Sequence, residues 1–386
     1  MNKDINKLLI NKILFSQKSK NKLIRSGVLI ILIVSLLIIS TIFINSMSIG
    51  ISNKFSLLVN GDIEVYTTNK LEDEFDFIYS SDLVSFNSAL IYGKEGTSLI
   101  SVKGVEKSYF NDLRLNALNL EKIENDTNLL SIIISNELAT SLDLKIGDKA
   151  AIIFAKNEEK IRPKLVFIEG IYNSGYKEID QSLCYFNLDD LIKLFDGDIS
   201  VNREIILNDK VDLDDALIDL RINNYIARGW YELQPSVYNN LLVSTQSLLI
   251  VLVVIALLTG YFISSVSSDL ITKDHNTIAI NKLLGLRDKD IRFNYFFAIE
   301  TFTVFSTFIG VLLGIILSKT FLSLIGNLPL SEIPALKWYL LDFDIIIPIN
   351  DIIIISISLI IISMLSVYLS LIRIRKIEIL DLLNHE

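Results

Sequence analysis

The side chains able to do chemistry are few and widely separated. The two histidines, His275 and His385, stand far apart, and the single cysteine, Cys184, sits in the strand-like run SLCYF. One cysteine allows neither a disulfide within the chain nor a cysteine-rich metal site, and Cys184 reads as a small buried hydrophobe. The acids Asp143, Asp148, Asp180, Asp189 and Asp190 fall on turns and helix starts. There they read as caps and solvated surface, because general acid–base work needs a base in reach and no histidine lies in that region. Nothing matches G-x-x-x-x-G-K-S/T, the loop that cradles nucleotide phosphates. The expectation is a chain that is not itself an enzyme, with no catalytic residue, no metal and no cofactor of its own. Any ATP it depends on must be bound by a partner subunit.

The elements around those residues are mostly apolar. The chain has 386 residues, 51% of them hydrophobic and 21% charged, with a mean hydropathy of +0.47. A net charge of −9 argues against a nucleic-acid partner, since phosphate binding needs a basic surface. The apolar residues pool in four blocks, 27–49, 241–266, 295–322 and 351–372. Each is long enough for a helix to cross a hydrocarbon core of about 30 Å, where every backbone polar group must be satisfied within the helix. Glu300 falls near the start of the third block, at interface depth. The first block has the basic start of a secretory signal, but its apolar core is longer than the usual ~7–15 residues and no A-x-A-like cleavage site follows. It reads as a retained anchor.

Lys and Arg set the orientation. Lys3, Lys7, Lys12, Lys18, Lys20, Lys22 and Arg25 precede the first block. Lys273, Lys282, Arg287, Lys289 and Arg292 lie between the second and third, and Arg373, Arg375 and Lys376 follow the fourth. The loop 323–350 has only Lys337. Segments 1–26, 267–294 and 373–386 are therefore expected in the cytoplasm, and 50–240 and 323–350 outside. Segment 50–240 is long enough for its own core. Strands are expected at Asp62–Tyr66, Ser98–Lys103, Ser131–Ser135, Ala150–Phe154, Leu165–Tyr172, Ser182–Phe186 and Glu204–Leu207. Helices are expected at Asn136–Leu142, Leu188–Phe195 and Leu213–Arg221, with Asn136 or Ser135 as the first one's cap. The fold class is thus four transmembrane α-helices with a large mixed α/β domain between the first and second.

The loop 267–294 holds the candidate functional segment. Asp274-His-Asn-Thr277 supplies cap-type residues, Ile278, Ala279, Leu283 and Leu284 are spaced for one helical face, and Gly285 is a stop signal. A short amphipathic helix of this kind is a docking or interfacial element. Its candidate residues are Ile278, Ala279, Ile280, Lys282, Leu283 and Gly285, with Ile278 and Leu283 central. His275 reads as a solvated helix-start residue.

The run Thr277-Ile-Ala-Ile-Asn-Lys-Leu-Leu-Gly285, followed by Asp288, Ile291 and an aromatic entry into the third block, resembles a pattern of the FtsX/MacB-type permeases of ABC transporters. The order of one span, a large external domain, three spans and a basic, leucine-containing tail (RIRKIEILDLL, from Arg373) is similar too. Within that family Ser131 to Phe154, Gly170 to Asp180 (GIYNSGYKEID) and the block after Trp230 resemble the lipoprotein-releasing LolC/LolE-type permeases. Asn276, Thr277 and Asn281 depart from the cytoplasmic pattern, where a basic, an acidic and an aliphatic residue are common. The resemblance implies a bacterial inner-membrane permease coupled to an ABC ATPase dimer through helix 275–285. It also implies a second permease subunit, identical or related, a lipoprotein substrate and a periplasmic lipoprotein carrier. The alternatives it leaves open are an FtsX-like permease that transmits motion to an external cell-wall hydrolase, and another export permease. MacB-type efflux permeases carry their ATPase at the N-terminus, which this sequence lacks.

Overall fold

The computed structural model describes residues 17–72, 74–125, 127, 129–154, 163–208, 211–325, 345–372 and 374. The basic stretch 1–16, most of the loop 323–350 and the tail from 375 lie outside the described residues. Among the described residues four helices are long and apolar enough to cross a membrane: α1 (Gln17–Phe55), α8 (Pro235–Lys273), α10 (Asp288–Ile325) and α11 (Ile349–Leu371). Between α1 and α8 lie the short helices α2 (Asp112–Leu118), α3 (Asn136–Ser141), α4 (Lys177–Asp180), α5 (Leu188–Leu194), α6 (Leu213–Ile222) and α7 (Trp230–Leu233). Helix α9 (His275–Leu283) separates α8 from α10. The chain forms two compact units, one holding 1–46, 242–328 and 344–386, the other 47–241 and 329–343.

In the helical unit the long helices outrun the apolar blocks at several ends. Helix α10 starts at Asp288 instead of near Tyr295, and α8 continues to Lys273. Hydropathy reports where hydrocarbon would lie, whereas backbone hydrogen bonding continues until a stop signal such as Gly285 intervenes. The unit's core is aliphatic, with Val34, Ile38 and Ile42 of α1, Ile263 and Leu270 of α8, Ile291 and Ala298 of α10, and Leu359 and Val367 of α11. Helices α1 and α10 approach closely because Gly310 and Gly314, one turn apart, face Val34 and Ile38. A Cβ on either glycine would come within 2.8 Å of those side chains. Glu300 is buried within the helical unit. Ser363 Oγ of α11 donates within 2.6 Å of its Oε1 and 2.7 Å of its Oε2.

In the sheet unit ten strands form one sheet: β1 (Ile63–Val65), β2 (Ile78–Tyr92), β3 (Thr97–Val105), β4 (Glu121–Lys122), β5 (Leu130–Ser135), β6 (Lys149–Phe154), β7 (Lys164–Tyr172), β8 (Leu183–Asn187), β9 (Asn202–Leu207) and β10 (Ala227–Gly229). Pairings run β2–β3–β8–β5–β7, and β6 pairs with both β7 and β2, so six strands close into a small barrel. The β3–β8 and β5–β7 pairs are parallel. Alternate residues fill the interior: Ala89 and Ile91, Ile100 and Val102, Ile132 and Ile134, Ile152, Val166 and Ile168, Cys184 and Phe186. Cys184 is fully buried there, and burial pushes its thiol up, out of reach of reactive thiolate chemistry. The free edge of β2 pairs with β9, then β1 and β10, and α6 covers that wing with Ala216, Leu217 and Leu220.

Candidate functional site

Helix α9 forms where the sequence places it, but its faces differ from the expected ones. Ile278 and Ala279 are fully buried, Ile278 within the helical unit's own core, so neither can be the centre of a docking surface. The outward apolar set is Ile280, Leu283 and Leu284, which are 51%, 59% and 76% exposed. The reason is geometric. At 100° per residue the positions 278, 279, 283 and 284 spread over about 240° of the helix circumference, so the four cannot share a narrow stripe.

The helix is held at both ends. Asp274, at its N-cap, spends its carboxylate on Tyr295, whose hydroxyl donates to Oδ2 at 2.9 Å. At the C-terminus Leu286 N donates to Asn281 O and Gly285 N to Lys282 O, with Gly285 at φ +85°, the paired bonds of a Schellman stop. Lys282 braces the helix from its side: its Nζ donates to Ile374 O at 3.1 Å and meets Asp288 Oδ1 at 3.1 Å. Of the six expected residues, Ile280 and Leu283 are thus outward, Ile278 and Ala279 inward, and Lys282 and Gly285 structural.

A second constellation lies in the sheet unit, around the chain leaving α1. Five residues, Ser56–Asn60, continue α1 as a π-helical turn. Helix C-termini leave carbonyls without partners and carry partial negative charge. Here buried donors meet them. Arg114 Nε donates to Leu57 O at 3.2 Å, and Lys103 Nζ, Tyr109 Oη and Tyr185 Oη each lie 3.1–3.2 Å from Leu58 O. The cations are balanced by carboxylates. Arg114 pairs with Asp82 Oδ2 at 2.6 Å and Glu204 Oε1 at 3.1 Å, and Lys103 Nζ lies 2.5 Å from Glu204 Oε2. That last contact is ionic without hydrogen-bond geometry. The Arg114 guanidinium also stacks 3.8 Å from the Tyr109 ring centroid.

Electrostatics follow from burial. Lys103 and Glu204 are both 0% exposed. Desolvation pushes Lys103 down to about 8, with Glu204 opposing the fall, and pushes Glu204 up, with Lys103 and Arg114 opposing. Burial alone would also depress Arg114, but Tyr109, Glu204 and Asp82 outweigh it and hold the guanidinium charged. The cluster therefore works as a cap and anchor; no substrate atom has access to it.

Two further clasps hold the end of α1 and the turn after it. In the loop Asn173–Asp180, Lys54 Nζ donates to Ser174 O and the Tyr176 ring meets Phe55 edge-on at 5.4 Å. Asp180 holds that loop by accepting from Ser174 N at 3.1 Å, and Ser135 Oγ donates to its backbone carbonyl. Burial pushes the Asp180 carboxyl up to about 6, and its Oδ2 is buried without a partner. The other clasp is Asn60, whose Oδ1 accepts from Gln234 Nε2 at 2.9 Å, just before α8 begins. The segment Gly170–Asp180 was legible as a motif, but its role as a clasp was not. Lys103, Arg114, Glu204 and Asp82 stand on separate elements, and only the fold brings them together. Among the described residues no group of three or more His, Cys, Asp or Glu could hold a metal ion.

Residues 249–379 match the FtsX-like permease C-terminal family. Over 196 residues, 49% of the chain, it is 24% identical to the lipoprotein-releasing system transmembrane protein LolC of Xylella fastidiosa (strain Temecula1). That match spans about half of the relative's own length, 48%. A membrane protein of Buchnera aphidicola (subsp. Schizaphis graminum) is 25% identical over 346 residues, 80% of this chain and 81% of that protein. Among solved structures, the periplasmic region of MacB from Actinobacillus actinomycetemcomitans aligns with 46% of this chain and 92% of its own. The identity is 13% and the TM-score 0.28.

Proposed function

We propose that this chain is an FtsX/MacB-type ABC-transporter permease and serves as a membrane subunit of a lipoprotein-releasing system. On this reading a separate ATPase dimer drives the helical unit, and the sheet unit hands a lipoprotein to a periplasmic carrier. The need for work is physical. An acylated protein is held by about 0.8 kcal/mol per buried CH₂, so two or three chains do not leave a bilayer unaided. A chain with no P-loop must receive that work mechanically.

The observation that carries the proposal is the buried cap on Leu57 and Leu58. It fixes the turn that follows the first long helix within the sheet unit through charge-assisted bonds, which supports a reading in which that turn passes on force. The ATPase docks on Ile280, Leu283 and Leu284 of α9, whose inward residues are locked in the helical core. Most of the apolar surface of α8 stays uncovered within this unit, which leaves room for lipid and for a second permease subunit. Both termini and α9 face the cytoplasm of an inner membrane on this reading, which the Lys/Arg distribution supports.

The same clamped turn would also serve a permease that moves an external cell-wall hydrolase. Depleting the protein and fractionating membranes separates the two. Lipoproteins stranded in the inner membrane support release, whereas normal lipoprotein sorting with failed cell-wall hydrolysis supports the hydrolase reading.

A further inference from the structure

We propose that the helical unit carries a binding site for one anionic phospholipid, between the start of α10 and the end of α11. A cavity of about 430 Å³ opens there, lined by Lys289, Arg292, Phe293, Phe296, Tyr368 and Leu371. The inference rests on the reading that these helices span a bilayer, but not on which leaflet the site faces.

Charge comes first. Helix α10 starts with two acids and three bases, in the order Asp288, Lys289, Asp290, Arg292, with Arg287 just before. The acids are already committed: Asp288 pairs with Lys282 at 3.1 Å, and Asp290 with Arg287 at 3.1 Å. Lys289 and Arg292 meet no carboxylate among the described residues. Arg292 makes one hydrogen bond, its Nε donating to Asp288 O at 3.3 Å, which leaves its terminal nitrogens for a ligand. The cavity mouth therefore holds two positive charges that no described residue of the unit neutralises.

The remaining lining is apolar and aromatic. Phe293 and Tyr368 are more than half exposed, and Leu371, almost fully buried, forms the floor. Phe296 lies one helical turn beyond Arg292, about 6 Å further along the axis. A charged mouth one turn from an aromatic wall matches a phosphate headgroup and the first methylenes of an acyl chain. Basic pockets between transmembrane helices select anionic headgroups in this way, each cation contributing about a fivefold gain near the surface. A docking protein is the weaker fit, because the outward apolar residues suited to one are on α9, while this wall belongs to helices read as spans.

The test uses full-length protein in mild detergent and native mass spectrometry, titrating palmitoyl-oleoyl phosphatidylglycerol or phosphatidylcholine. We expect phosphatidylglycerol to bind at least tenfold more tightly. In the double variant Lys289→Gln/Arg292→Gln that preference should fall about tenfold, with phosphatidylcholine binding unchanged. The charge-keeping variant Lys289→Arg/Arg292→Lys should hold it, which separates recognition from a folding defect. Glycerol 3-phosphate should not displace the lipid. Equal retention of both lipids, an unchanged preference in the Gln variant, or its loss in the charge-keeping variant would overturn the proposal. So would displacement by glycerol 3-phosphate, which would mark a soluble-phosphate site. Protein that leaves membranes in alkaline carbonate without detergent would instead refute the membrane reading, whatever the lipid result.

Discussion

Replacing Lys103 by Met removes one atom from the joint and keeps the stem that fills its volume. In the structure that Nζ lies 2.5 Å from Glu204 Oε2, 2.6 Å from Tyr109 Oη and 3.1 Å from Leu58 O, all at fully buried positions. Breaking a buried ion pair from one side costs about 3–5 kcal/mol, because the abandoned charge stays desolvated. Here the loss should sit near the lower end, about 3 kcal/mol, for two reasons. Arg114 still bonds Glu204 Oε1, and burial already pushes the Glu204 carboxyl toward its neutral form. Lys103→Met/Glu204→Gln should recover about 1–2 kcal/mol, since no orphaned charge remains. Urea unfolding of the full chain in detergent reads this through Trp230, buried beside the clamped turn, in a Trp338→Phe background. A Lys103→Met loss under about 0.5 kcal/mol, or a double variant no better than the single, would refute the reasoning. Lys94, whose ion pair with Asp148 is largely exposed, provides the contrast: Lys94→Met should be nearly silent.

Three further outcomes are expected. Cysteines at Asp148 and Lys289 should label with a membrane-impermeant thiol reagent only from the outside and only after permeabilisation, respectively; the buried Cys184 adds no background. On α9, Leu283→Asp or Leu284→Asp should release the ATPase on purification while the permease stays folded, since both side chains are exposed. Ile278→Asp should lower permease stability itself, by at least the ~1.5–3 kcal/mol of a lost buried side chain, measured as a fall in thermal midpoint. Asp180 holds its proton more tightly when folded, at about 6 against an ordinary 3.8, so the folded state binds more protons across that window. The stability this confers is complete below pH 3.8 and is lost as pH rises to 6, at up to about 1.4 kcal/mol per pH unit. The thermal midpoint of the wild type should therefore fall relative to Asp180→Asn between pH 4 and 6 and run parallel above. A constant gap would show that Asp180 is not held neutral.

The sequence carried the parts of this fold that rest on local pattern. The four apolar blocks, the strands at Ser131 and Leu165, the Ser135 cap, whose Oγ accepts from Leu138 N, and the Gly285 stop all have signals within a few residues. Strand β2 was not legible. Its run of Ser, Asp and Asn lacks the apolar alternation of a half-buried strand, yet it is the longest strand and pairs with β3, β6 and β9. It tolerates polar residues because Asp82 and Ser85, which it buries, have partners, Asp82 accepting from Arg114 on α2 and Ser85 accepting from Asn87 on the same strand. The joint was invisible for the same reason, since Lys103, Arg114 and Glu204 stand on β3, α2 and β9 and meet only when the sheet forms. On α9 the spacing correctly indicated a helix, but which of its two apolar faces turned inward depended on what packed against it.

The central claim is that ATP-driven helix motion reaches a lipoprotein through the clamped turn after α1. Its most direct measurement is transfer of a triacylated lipoprotein to a soluble carrier, from proteoliposomes holding this chain, its partner permease and the ATPase. Release should require ATP, and in Lys103→Met it should drop several-fold while ATP hydrolysis continues at a comparable rate. Hydrolysis without release in the wild type, or undiminished release in a variant whose joint is demonstrably weakened, would contradict the account.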